Sequence, residues 1–175
     1  MDLTFQERAD ISVAEYLAMA GRKAGAFMSC AMELGALVAT GDQRFVDAFR
    51  LCGQKLGLAW QIREDILGLW SDGSGRPPHP GVFNKRKTYP IVRILEEGDL
   101  KTKRQLGTIY FKRVLEQSDV EEILRLLNEV DARSSAEAAA ESYFQEALVI
   151  LDGLHLGSRG RDLVELGLYM AKRAQ

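Results

Sequence analysis

Apolar residues along this chain recur at three- and four-residue intervals almost throughout, and the strict alternation of a half-buried strand is nearly absent. Ser12-x-x-Glu15 is a capping box, so a long helix is expected to run from there to about Thr40. Gly21, Gly25 and Gly35 lie within it, each weakening it by about 1 kcal/mol relative to Ala. Asp42 can cap a second helix, where Phe45, Phe49, Leu56, Trp60 and Leu67 recur as far as Trp70. The pattern then stops. Ser71 to Phe83 holds three of the four prolines and three glycines and reads as a long loop. Thr88-Tyr89-Pro90 starts another helix, with Thr as cap and Pro in the first turn. Ser118-x-x-Glu121 is a second capping box, Ala132 to Ala147 is helical by propensity, and a last amphipathic helix spans about Arg161 to Arg173. No repeat or low-complexity linker divides the chain, so residues 1–175 are expected to form a single all-α domain.

Composition narrows the picture. With 175 residues, 46% hydrophobic and 27% charged, the chain can bury one core of ordinary size. A formal net charge of -2 argues against a nucleic-acid coat. The stretch from Ala24 to Thr40 carries one charge, Glu33, but is short for a membrane span and is expected to be a helix buried in a bundle. The opening residues show no secretory pattern, and Cys30 and Cys52, both within apolar stretches, suit small core residues in a reducing cytoplasm.

Candidate chemistry is limited by what the sequence omits. There is no nucleophile elbow and no H-E-x-x-H, and the two histidines, His79 and His155, lie in a loop and near a helix end. Gln61, Glu64 or Asp65, and Gly68 share one stripe of a helix that ends where the long loop begins. Beyond that loop, residues 84 to 113 hold nine Lys or Arg against three acids, starting with Lys85-Arg86-Lys87. Carboxylates that can hold a hard cation, with cationic side chains nearby, suit a diphosphate ligand. A solvated helix face followed by an ordinary basic surface is the alternative, and pattern alone leaves both open.

Gln61-Ile-Arg-Glu64-Asp65-Ile-Leu-Gly68 resembles the second aspartate-rich region of the trans-polyprenyl diphosphate synthases, Q-x-x-D-D-x-x-D, which also has a D-D-x-x-G form. Four further stretches are similar to that family in order. They are Asp2-Leu3-x-Phe5-Gln6, Lys23-Ala24-Gly25, Leu34-Gly35-Ala36 with Gly53-x-x-x-Gly57, and Lys85-Arg86-Lys87-Thr88-Tyr89-Pro90. The resemblance implies a helical bundle like the C-terminal half of the isoprenoid synthase fold. It implies Mg2+-assisted departure of diphosphate from an allylic prenyl diphosphate, followed by attack of isopentenyl diphosphate. By the same resemblance, Lys23, Gln61 and Asp65 would be catalytic, Lys23, Lys85, Arg86 and Lys87 would bind substrate diphosphate, and Glu64 and Asp65 would face the metal.

Three departures from the family pattern bear on activity. Nothing here matches the first half of the family, including its first aspartate-rich motif. The loop has Gly75-Arg76-Pro77 and Gly81 in place of a glycine-lysine pair and a later aspartate, and the second motif carries Glu64 and Gly68. These point to a subunit that needs a second helical chain bearing the missing motif. A non-catalytic or self-associating partner of a full-length synthase, and a truncated form of one, are the other readings. Neither nucleic acid nor a membrane span is expected.

Overall fold

Ser12 and Glu15 close the expected box: the Glu15 carboxylate accepts the Ser12 backbone N–H at 3.0 Å, and the Ser12 hydroxyl accepts that of Glu15 at 3.1 Å. Helix α1 (Val13–Ala20) begins there, in a computed structural model that describes residues 5, 8, 10–70 and 82–172. The long helix expected to reach Thr40 is interrupted by a π-helical turn, Gly21–Gly25, before α2 (Ala26–Ala39). The turn falls where glycines at both ends remove α propensity and leave a wider turn tolerable. Gly41, at φ +66°, donates to the Leu37 carbonyl at 3.1 Å and ends α2 in the left-handed conformation that glycine adopts without strain.

Asp42 caps α3 (Gln43–Leu69) by accepting the Arg44 N–H at 2.9 Å. Residues 71–81, most of the expected loop, and His79 within it lie outside the described residues. The chain resumes through a turn at 82–85 into α4 (Tyr89–Glu97) and α5 (Leu100–Phe111), the latter capped by Asp99, whose carboxylate accepts the Thr102 N–H at 2.9 Å. Helix α6 (Gln117–Glu129) starts before the expected Ser118 box. Asp119, rather than Glu121, accepts the N–H of the cap residue Glu116 at 3.0 Å. Both pairs have the same spacing, and Asp119 wins because Lys112 also holds its carboxylate, at 2.5 Å. Then follow α7 (Ala132–Asp152), a 3-10 turn (Gly157–Gly160) and α8 (Arg161–Lys172). The described residues contain no strand, and the all-α expectation holds.

The described residues divide into two interleaved units, those up to 19 with 64–70 and 82–137, and residues 20–63 with 138–172. In the first, Leu69, Ile91, Leu106, Ile123, Leu126 and Leu127 form a fully buried apolar cluster. In the second, Cys52, Leu56 and Ala59 of α3 pack with Phe144, Ala147 and Leu151 of α7. There α3 approaches the preceding segment at backbone contact: a Cβ built on Gly57 would lie 2.6 Å from both the Ala24 carbonyl oxygen and the Gly25 Cα.

Two expectations are corrected. Helix α2 is not buried: among its residues only Ala36 is, while Phe27 is 75% and Val38 87% exposed. Its apolar composition exceeds what the described residues can cover. No described helix is long and apolar enough to cross a membrane. Cys30 is exposed rather than a core residue, whereas Cys52 is buried and its thiol is pushed up to about 12 by desolvation.

Candidate functional site

The last two turns of α3 carry Asp65 into the interior of the first unit, where its side chain is 2% exposed. An ionised carboxylate is tolerated there only if donors replace water. One oxygen, Oδ2, accepts the Tyr16 hydroxyl at 2.6 Å and the Tyr89 backbone N–H at 2.9 Å. The other, Oδ1, lies 3.5 Å from an Arg86 guanidinium nitrogen. Tyr16 is fully buried, and its ring meets that of Tyr89 edge-on with centroids 5.5 Å apart.

Asp65 therefore caps α4 from a distance. Thr88 was the expected cap and does hold the cap position, with extended backbone, but its hydroxyl makes no capping bond and has no partner among the described residues. Pro90 has no N–H to satisfy. The first amide of the helix, on Tyr89, is accepted by Asp65, and a carboxylate at that end is further favoured by the helix dipole. Arg86 is held beside it, its side chain 32% exposed.

The other basic residues of this stretch have separate surroundings. Lys85 is in the left-handed region at φ +55°, and its ammonium donates to the Lys112 carbonyl. Lys87 is 3% exposed, with its nitrogen 3.9 Å above the centre of the Tyr110 ring. Burial first, and the charge of Lys85 second, lower its pKa to about 8. Between that value and its unperturbed 10.5 the unfolded chain holds a proton that the folded chain has released. The contribution of Lys87 to stability is therefore expected to rise as pH increases through this window, by about 3 kcal/mol. Urea unfolding of the chain and of Lys87→Met from about pH 7.5 to 10.5 checks it: the stability of the parent relative to the variant should rise with pH, while the raised Cys52 and Tyr110 groups, which oppose it, act equally in both.

Glu64, half-buried, precedes Asp65, and Gln61, buried, lies one helical turn before it. Lys23 is exposed on the π-helical turn of the second unit. Thus Asp65 and Arg86 are brought together, with Tyr16 and Tyr89, which reading the sequence did not single out. Tyr16 carried a faint signal, as the one aromatic residue in the short helix after the Ser12 box. Among the described residues no three His, Cys, Asp or Glu side chains cluster as a standing metal site. Asp65 is engaged by protein donors, and Glu64 is the carboxylate next to it in the chain. That donor set fits a Mg2+ ion that arrives with a diphosphate, since such ions take one or two carboxylates and complete their shell with phosphate oxygens and water.

A buried aspartate that ties a long helix to the basic segment after it occupies the positions of the motifs read from sequence, and the family model for polyprenyl synthetase matches residues 1–127. The chain belongs to the polyprenyl synthetase family. A geranylgeranyl diphosphate synthase of Mycobacterium tuberculosis is 29% identical over 175 residues, covering 98% of this chain and 49% of that protein. One from Sulfolobus acidocaldarius is 31% identical over 153 residues, covering 85% and 45%. Among solved structures, geranylgeranyl pyrophosphate synthetase from Pyrococcus horikoshii matches with a TM-score of 0.84 at 25% identity, over 98% of this chain and 53% of that one. Heptaprenyl diphosphate synthase from Staphylococcus aureus matches in fold with a TM-score of 0.88 at 22% identity, over 99% and 54%. The chain spans about half the length of the relatives it matches.

Proposed function

We propose that this polyprenyl synthetase chain forms the diphosphate-binding half of a trans-prenyltransferase site, which is active when a second helical chain supplies the first aspartate-rich motif. The observation that carries this reading is Arg86, held beside a buried carboxylate at the start of α4 and still partly open to solvent. A guanidinium fixed in this way has lost much of its conformational freedom and can donate to a pair of diphosphate oxygens without reordering. Lys23 would contact the allylic diphosphate, with Lys85 and Lys87 adding positive potential behind Arg86 and Gln61 near the prenyl chain. Mg2+, when bound with substrate, would neutralise charge on the departing diphosphate. The C–O bond to diphosphate breaks, the isopentenyl double bond forms the new C–C bond, and a proton is lost from the adduct. The chain's own part is to bind and orient the leaving diphosphate and keep water away.

The test is incorporation of labelled isopentenyl diphosphate. The chain alone is expected to show none, and mixing with a family chain that carries the missing motif should give turnover that chelation of Mg2+ abolishes. In the mixture, Arg86→Met should lower turnover by about 100-fold. No gain on mixing would reject the catalytic reading. A second reading, a non-catalytic partner, is favoured by the engagement of Asp65 with protein donors, and it predicts that Arg86→Met leaves the activity of the assembly unchanged.

A further inference from the structure

The outer side of α5 and the turn after it combine charge and apolar exposure in a way the diphosphate reading does not use. Leu100, Arg104 and Phe111 fall on one stripe of this helix, opposite the buried Leu106 and Tyr110, and Arg113 and Val114 follow. Leu100 is 73%, Phe111 83% and Val114 72% exposed. Arg104 and Arg113 are exposed and make no ion pair among the described residues. The neighbouring acids are committed elsewhere: Glu96 accepts the Val13 N–H, Glu97 pairs with Arg93, Asp99 caps α5, and Asp119 binds Lys112 and the Glu116 amide. Beside Phe111 lies a cleft of about 530 Å³ lined by Asn84, Tyr110, Arg113, Val114 and Lys85, the last being the one residue shared with the diphosphate reading. Tyr110 is buried there, and its hydroxyl has no hydrogen-bond partner among the described residues.

We propose that this face docks on a bilayer surface containing anionic phospholipid, with Leu100, Phe111 and Val114 entering the interfacial layer and the cleft receiving a phosphate headgroup. The choice of a bilayer rather than an acidic protein rests on how the apolar groups are arranged. They stand singly among cations along about 16 Å of helix, given its rise per residue, instead of forming the contiguous packed centre of a protein interface. Single insertions with phosphate attraction around them are what an interfacial helix uses.

The experiment is co-sedimentation of the chain with vesicles of phosphatidylcholine containing about 30 mol % phosphatidylglycerol, and with phosphatidylcholine alone. Binding is expected to the anionic vesicles only, and raising salt from about 0.1 to 0.5 M should weaken it. Arg104→Glu with Arg113→Glu, and separately Phe111→Ser with Val114→Ser, should each lower the partition coefficient by at least about tenfold. Their circular dichroism and thermal midpoints should match the parent, since all four side chains are exposed. Phe27→Ser, on α2, should leave vesicle binding intact. Equal binding to neutral vesicles, no binding, or binding untouched by either double variant would overturn the proposal. So would displacement by millimolar inorganic phosphate, which would reduce the face to a free-anion site, or retention on polyglutamate without vesicle binding, which would assign it to acidic proteins.

Discussion

Asp65→Ala is expected to destabilise the chain by about 3–5 kcal/mol, enough to leave it substantially unfolded at 37 °C. The loss has several sources that act together. The Tyr16 hydroxyl loses its acceptor inside a buried site, the Tyr89 amide becomes an uncapped helix donor, and Arg86 loses its nearest anion. Each orphaned group keeps its desolvation cost when the partner disappears. Urea denaturation followed by far-ultraviolet circular dichroism measures the change. Tyr16→Phe removes a single hydrogen bond and should cost about 1–2 kcal/mol. Because both changes delete the same bond, the double variant should be little worse than Asp65→Ala alone, and strict additivity would show that the Tyr16 bond contributes nothing.

A comparable effect is expected in the second unit, from added atoms rather than lost ones. Gly57→Val places its branched carbon where the Cβ already lies 2.6 Å from the Ala24 oxygen and the Gly25 Cα. The obstacle is backbone on the neighbouring segment, which cannot rotate aside as a side chain would. Relief requires the helical segments to move apart, at a cost of about 3 kcal/mol or more. Gly53→Val meets the Met28 oxygen in the same way, from 2.5 Å. Gly35→Ala, where nothing lies within 4 Å, should be neutral to slightly stabilising by helix propensity. Thermal melts of the three variants check the ordering, and a Gly57→Val melt equal to the parent would refute the close-contact account.

What the sequence made legible were features settled within a few residues. The Ser12–Glu15 box, the Asp42 cap and the long helix from Ala132 were read correctly because the partners are three or four positions apart. Thr88 shows the limit. It has the residue type and position of a cap, yet the acceptor for the Tyr89 amide comes from Asp65, 24 residues before Tyr89, and no local rule signals that. Lys87 reads as one more cation in a basic run, but packing puts it over Tyr110, and burial changes its acidity. Helix α2 shows the reverse case: an apolar stretch reports that burial is favourable, not that this stretch of chain provides the cover. Membership of the family was legible for another reason, since the order of short motifs survives even where each motif is altered.

The way the two units share the chain affects how it can acquire structure during synthesis. The segment up to residue 19 is made before 64–137, which it joins, and residues 20–63 of the other unit are made between them. Tyr16 must wait 49 residues for Asp65, and the Val13 amide 83 residues for Glu96. The second unit is not complete until translation has passed its final segment, 138–173. Neither unit can therefore complete its contacts from one continuous segment, and each depends on pairings across the intervening part of the other, which slows the formation of its structure.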